Sequence, residues 1–180
     1  MGVLDGKHIA ILVDDYFEQA EFTGPKHALE KAGAVVEIVA PHGGQVQGMS
    51  HAEQADIFPV DLLLEDTDFD NYDALVLPGG ALNADSLRMI PEARQAVADF
   101  IESGRPLAMI CHAPWVLISA GNAAGRTLTS YFTIQDDVRN AGATWVDKEV
   151  VIDDNLITSR KPDDVPAFSK AIITMINGEE

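Results

Sequence analysis

The chain has little cysteine: a single thiol, Cys111, among 180 residues. One cysteine closes no intrachain disulfide and builds no zinc-finger framework. The expectation is therefore a protein of the reducing cytoplasm with no metal and no other cofactor. Basic residues are also scarce, 12 Lys and Arg against 29 Asp and Glu, for a net charge of −17. Such a surface repels a phosphate backbone, which argues against nucleic acid as a partner. Long apolar runs are missing as well. The longest candidate, 106–120, is cut by Cys111, His112 and Pro114, short of the roughly eighteen residues a membrane span needs. No basic-then-apolar signal segment opens the chain. A soluble protein with no membrane anchor is expected. With 47% apolar and 23% charged residues, the composition suits one folded domain over 1–180.

Short apolar runs alternate with helical segments. Strands are expected at 7–13, 35–40, 74–77 and 107–110, and a side hairpin from 45–49 and 56–60. Helices are expected at 19–32, where Ala20, Ala28, Leu29 and Ala32 read as the apolar positions, and at 91–103, 115–120, 133–141 and 162–176. Asp153-Asp154-Asn155 reads as the turn of a hairpin between 149–152 and 156–158. Continuous apolar strands alternating with helices imply a mainly parallel sheet covered on both faces, with ligands beyond the strands' carboxyl ends.

The fourth of the main strands runs straight into Ile110-Cys111-His112-Ala113-Pro114. A thiol at such a strand-to-helix turn resembles a nucleophile elbow, with Ala113 as the small residue the turn needs. Unpaired N–H groups at the turn should depress the thiol pKa, so Cys111 is expected as a thiolate at neutral pH. His112 is placed to act as a general base or as a cation beside the sulfur, or simply to start the helix. Pro78-Gly79-Gly80 ends the preceding strand in a loop whose N–H groups could form an oxyanion hole with that of His112. Glu18 follows the first strand, and spacing alone does not say whether it meets the thiol or only water. His8, His27, His42 and His51 show no metal-ligand spacing.

Segments 15–22, 73–80, 110–114, 117–121, 140–143, 149–152 and 158–164 together resemble the PfpI family of the ThiJ/PfpI superfamily, in order along nearly the whole chain. The resemblance implies a class I glutamine amidotransferase-like, flavodoxin-like three-layer α/β/α sandwich that assembles as a homo-oligomer, a dimer or larger. It implies Cys111 as nucleophile with His112 as partner, and Glu18 as a protonated carboxyl bonded to the sulfur. It assigns Gly80, with Gly79 beside it, to the oxyanion hole and places Tyr131 near the pocket. Asp85 is the match for an acid that orients the histidine across a subunit interface, although the preceding loop is about one residue longer than the family's. Ala113 stands where the family usually has Gly, and Trp115 replaces a smaller or polar residue, so the pocket mouth is expected to be narrowed or made apolar. No second histidine follows beyond His112, and a glutamine amidotransferase needs a downstream His-x-Glu pair, so that activity is excluded.

The activities the resemblance implies fall into different classes. One is a cysteine-dependent hydrolase acting on glycated proteins or reactive aldehydes, as a deglycase or a glutathione-independent glyoxalase. Another is an intracellular cysteine peptidase, with a peptide substrate. The alternative is a non-enzymatic redox sensor or chaperone whose cysteine is oxidised under stress.

Overall fold

A computed structural model of the chain describes residues 1–178. Along the chain run β1 (His8–Leu12), β2 (Phe17–Glu18), α1 (Gln19–Lys31), β3 (Val35–Ala40), β4 (Gln45–Ser50), β5 (Glu53–Pro59), β6 (Leu62–Leu63) and β7 (Ala74–Leu77). They are followed by α2 (Ala81–Leu87), α3 (Pro91–Ser103), β8 (Leu107–Ile110), α4 (Pro114–Ser119), β9 (Thr127–Leu128), α5 (Gln135–Asn140), β10 (Thr144–Trp145), β11 (Val151–Asp153), β12 (Leu156–Ser159) and α6 (Val165–Asn177).

Seven strands form the central sheet in the order β11-β12-β8-β7-β1-β3-β6. Every pairing in it is parallel except the β11–β12 hairpin. The strands are apolar at successive positions because both faces are covered, and the period of two sorts them. Ile9 and Ile11 of β1, with Ile110 and Ile157, join Phe22, Leu29, Phe168 and Ile172 of α1 and α6. Ala10 and Leu12, with Leu75, Leu77, Leu107 and Met109, join Val97, Phe100, Leu117 and Val138 of α3, α4 and α5 on the other face. This is a three-layer α/β/α sandwich, and its neighbouring strands β1, β7 and β8 lie at the sheet's centre.

The side hairpin forms as β4 and β5, antiparallel, with β2 added parallel to β4. This small sheet lifts Met49, Ser50 and His51 beside the carboxyl ends of β1 and β7. Pro91 starts α3 and the left-handed Gly104 ends it (φ 77°). Pro25 lies inside α1, which continues through it. The expected helix at 133–141 is split into a 3₁₀ turn, Phe132–Ile134, followed by α5.

Candidate active site

Cys111 follows β8 and takes a left-handed backbone conformation, φ 65°. A side-chain-bearing residue adopts this rarely, and here two hydrogen bonds hold it. Its N–H donates to Ser159 O at 3.0 Å, and its carbonyl accepts from Tyr131 N at 2.8 Å. The turn aims the sulfur over the sheet's carboxyl edge while leaving the residue only 7% exposed. His112 places Nδ1 3.1 Å from Sγ. Its ring is fixed on two sides, stacked on Tyr131 (4.9 Å, 29°) and met edge-on by Trp115 (5.2 Å, 67°). Trp115 is tied down by its Nε1–H donating to Asp137 at 2.9 Å and does not line the cleft. The expected narrowing of the mouth is thus corrected: this indole backs the imidazole.

The carboxyl that meets the thiol is Glu21, and the contact expected of Glu18 is corrected accordingly. Glu21 is wholly buried, and its Oε1 accepts the N–H of Gly79 at 3.1 Å. Its Oε1 and the Cys111 Cβ crowd the same side of Gly79, which puts the carboxyl beside the thiol, while Oε2 has no hydrogen-bond partner among the described residues. Glu18 stands at the helix N-cap, half-buried on the rim, with its carboxylate accepting the N–H of His51 at 3.2 and 3.3 Å. A signal for Glu21 was present in the sequence. Glu21, Pro25 and Leu29 are spaced by fours and lie on the buried stripe of α1 with Phe22, whereas Ala20 is exposed. Reading the stripe one position early hid an acid on the apolar face.

Gly79 and Gly80 divide their work. The N–H of Gly80 faces the Cys111 sulfur, as does that of His112. The N–H of Gly79 is taken by Glu21, so Gly79 offers no oxyanion donor. It is a glycine because a Cβ there would lie 2.5 Å from that of Cys111. Asp85 is exposed on α2 and makes no contact with His112 within the chain.

Burial drives the electrostatics. Desolvation, then the neighbouring Glu18 charge, raises the Glu21 pKa to about 8, so this carboxyl holds its proton at neutral pH. Burial pushes the Cys111 thiol up, as does the Glu21 charge once that carboxyl ionises in the alkaline range, and the N–H groups of Gly80 and His112 offset this only in part. The expected thiolate is therefore corrected to a thiol that is protonated at rest. His112 is shifted down by burial and is neutral at pH 7. Around these groups opens a cleft of about 610 Å³, walled by Tyr16, Glu18, Met49, His51, Leu82, Tyr131 and Lys161 among others. Away from it, His42 Nε2 lies 3.0 Å from Asp15 and 3.4 Å from Asp14, a cluster that spacing did not reveal.

Residues 7–175 match the model of the DJ-1/PfpI family. The chain belongs to that family. Escherichia coli (strain K12) protein/nucleic acid deglycase 2 is 41% identical to this DJ-1/PfpI protein over 94% of this chain and 98% of its own length. YraA of Bacillus subtilis (strain 168), whose name proposes a cysteine protease, is 40% identical over 94% and 98%. Among solved structures, Drosophila melanogaster DJ-1beta superposes with a TM-score of 0.87 at 30% identity, over 99% of this chain and 92% of that one. Among the described residues no helix is long and apolar enough to cross a membrane.

Proposed function

We propose that this DJ-1/PfpI protein is a cysteine-dependent hydrolase that removes reactive-aldehyde adducts from proteins, a deglycase-type activity. The observation that carries the reading is the convergence of a thiol, a neutral imidazole 3.1 Å away, a protonated carboxyl and a free N–H at the base of an open cleft. A neutral His112 takes the thiol proton on Nδ1 as the sulfur adds to an electrophilic carbonyl carbon. The S–C bond forms, the carbonyl electron pair moves to oxygen, and N–H groups at the elbow stabilise the resulting oxyanion. Glu21, being protonated, adds no negative charge beside the sulfur and donates a hydrogen bond instead. Because deprotonation accompanies attack, a resting thiolate is not needed. A cleft of about 610 Å³ is large for a free dicarbonyl and suits an adduct carried on a side chain.

The test compares wild type with Cys111→Ala on a methylglyoxal-treated thiol, a methylglyoxal-treated amine, free methylglyoxal and an unstructured protein. The expected result is loss of the side-chain adducts with wild type alone, faster than scavenging of free methylglyoxal explains. Cleavage of the unstructured protein, or equal rates for Cys111→Ala, would overturn the reading.

A further inference from the structure

Three consecutive carbonyls of the loop after β7 are pinned. Those of Pro78 and Gly79 accept hydrogen bonds from Asn83 Nδ2, at 3.2 and 3.0 Å, the Gly79 carbonyl also accepts the N–H of Glu18 at 3.2 Å, and that of Gly80 accepts the N–H of Ala84 at 3.0 Å. Asn83 is fully buried in the first turn of α2, and its remaining polar atom, Oδ1, accepts the N–H of Asp14 at 2.7 Å. The carboxamide is thus fully satisfied, with two donors on two carbonyls and its acceptor on a backbone N–H.

These bonds have consequences on the far side of each peptide. In a trans unit the C=O and the following N–H point in opposite directions, and among the described residues no peptide is cis. Holding the Pro78 carbonyl toward α2 turns the Gly79 N–H toward Glu21, which accepts it at 3.1 Å. Holding the Gly79 carbonyl turns the Gly80 N–H toward the Cys111 sulfur. Glycine at both positions leaves these planes free to rotate unless something fixes them, and Gly80 sits at φ 92°.

We propose that Asn83 is a positioning residue of the site: one buried carboxamide bridges both carbonyls and, helped at the second by the Glu18 N–H, sets both peptide planes of the Pro78-Gly79-Gly80 loop, aiming one N–H at Glu21 and the next at the nucleophile. Aspartate, its isostere, would turn two donors into acceptors facing two carbonyls, so the role calls for an amide. The activity arm of the test rests on the hydrolase reading, but the chemical arm does not.

The chemical arm measures the second-order rate of Cys111 alkylation by iodoacetamide on folded protein between pH 6 and 9, by intact mass. Asn83→Ala removes the fixed donor to the developing thiolate, and the rate is expected to fall at every pH, by roughly tenfold. Asn83→Ser keeps one donor and covers the case in which the alanine variant does not fold; it should be intermediate. Asn155 is the structural control, a buried amide whose Nδ2 also clamps carbonyls, those of Phe100 and Arg105, away from the cleft. Asn155→Ala should lower the melting temperature and leave alkylation unchanged. In the activity arm, adduct removal by the Asn83 variants should lose kcat with KM little changed. Alkylation as fast as wild type or faster in Asn83→Ser, or an equal fall in Asn155→Ala, would overturn the proposal. Slowed alkylation with no adduct removal even in wild type would support the positioning role while sinking the hydrolase reading.

Discussion

At the scale of single residues, burial decides the chemistry. Glu21 has a folded-state pKa of about 8 against an ordinary 4.5. Between those values the folded chain binds a proton that the unfolded chain has released. Unfolding free energy therefore falls as pH rises from about 4.5 to about 8, by up to about 5 kcal/mol. Urea unfolding at pH 5, 6.5 and 8 should show this loss in wild type and much less of it in Glu21→Gln, whereas Glu18→Gln, which removes only the second cause of the shift, should keep most of it. A Glu21→Gln profile as steep as wild type would mean that another group carries the linkage. Cys111 has a raised pKa for the same reason, so its alkylation at pH 7 should be slower than that of an exposed model thiol and should accelerate into the alkaline range. Neutral-pH alkylation faster than the model thiol would show that the N–H groups of Gly80 and His112 outweigh burial.

Among the elements, the loop between β7 and α2 has the least freedom. A Cβ on Gly80 would lie 2.7 Å from the Tyr16 carbonyl and 2.8 Å from Glu18 N, in a backbone region at φ 92° that side chains avoid. A Cβ on Gly104, also left-handed, would meet nothing within 4 Å. Gly104→Ala should therefore cost backbone strain alone, about 1 kcal/mol, and Gly80→Ala that strain plus the clash. Thermal melts should show the larger drop for Gly80→Ala, with Gly104→Ala losing roughly 2–4 °C. Equal drops would mean that β2 yields to the added methyl. The helix α1 contributes differently. It turns its first-turn acid inward because Phe22, Pro25 and Leu29 anchor that face against the sheet and α6.

Over the whole molecule, α2 and the turn that follows it present Leu82 and Met89 to solvent on either side of the exposed Asp85, and Leu82 also lines the cleft. We propose that a second copy of the chain covers this surface and that the 83–88 stretch lies near the interface, where Asp85 could reach a partner histidine. Light scattering at micromolar concentration should give a dimer or larger, and Asp85→Asn should then lower adduct removal without changing the fold. A monomer across that range would remove any intersubunit role for Asp85. The charge of −17 adds a general self-repulsion that salt screens, so assembly should strengthen between low and physiological ionic strength.

Local pattern in the sequence was enough to determine the parallel core, the side hairpin, the Cys111 elbow and the loop at Gly79-Gly80. Apolar runs, turn residues and a thiol at a strand end are short-range signals, and each is readable within about ten residues. The sheet order and the protonation of the thiol were decided only by tertiary structure, and so was the meeting of Glu21, whose place on the apolar stripe of α1 is visible in the spacing, with the sulfur. Glu18 and Glu21 are both near β1 in sequence, but only the helical phase set by packing against α6 sends Glu21 under the sulfur and leaves Glu18 on the rim. The thiol's pKa depends on how much water the surrounding layers exclude, which no local motif records. Asn83 is a plain polar residue in the sequence, and its meaning comes from carbonyls that folding turns toward it. Hydrogen-bond direction and desolvation are properties of the assembled interior, and at this site they select which residues can act.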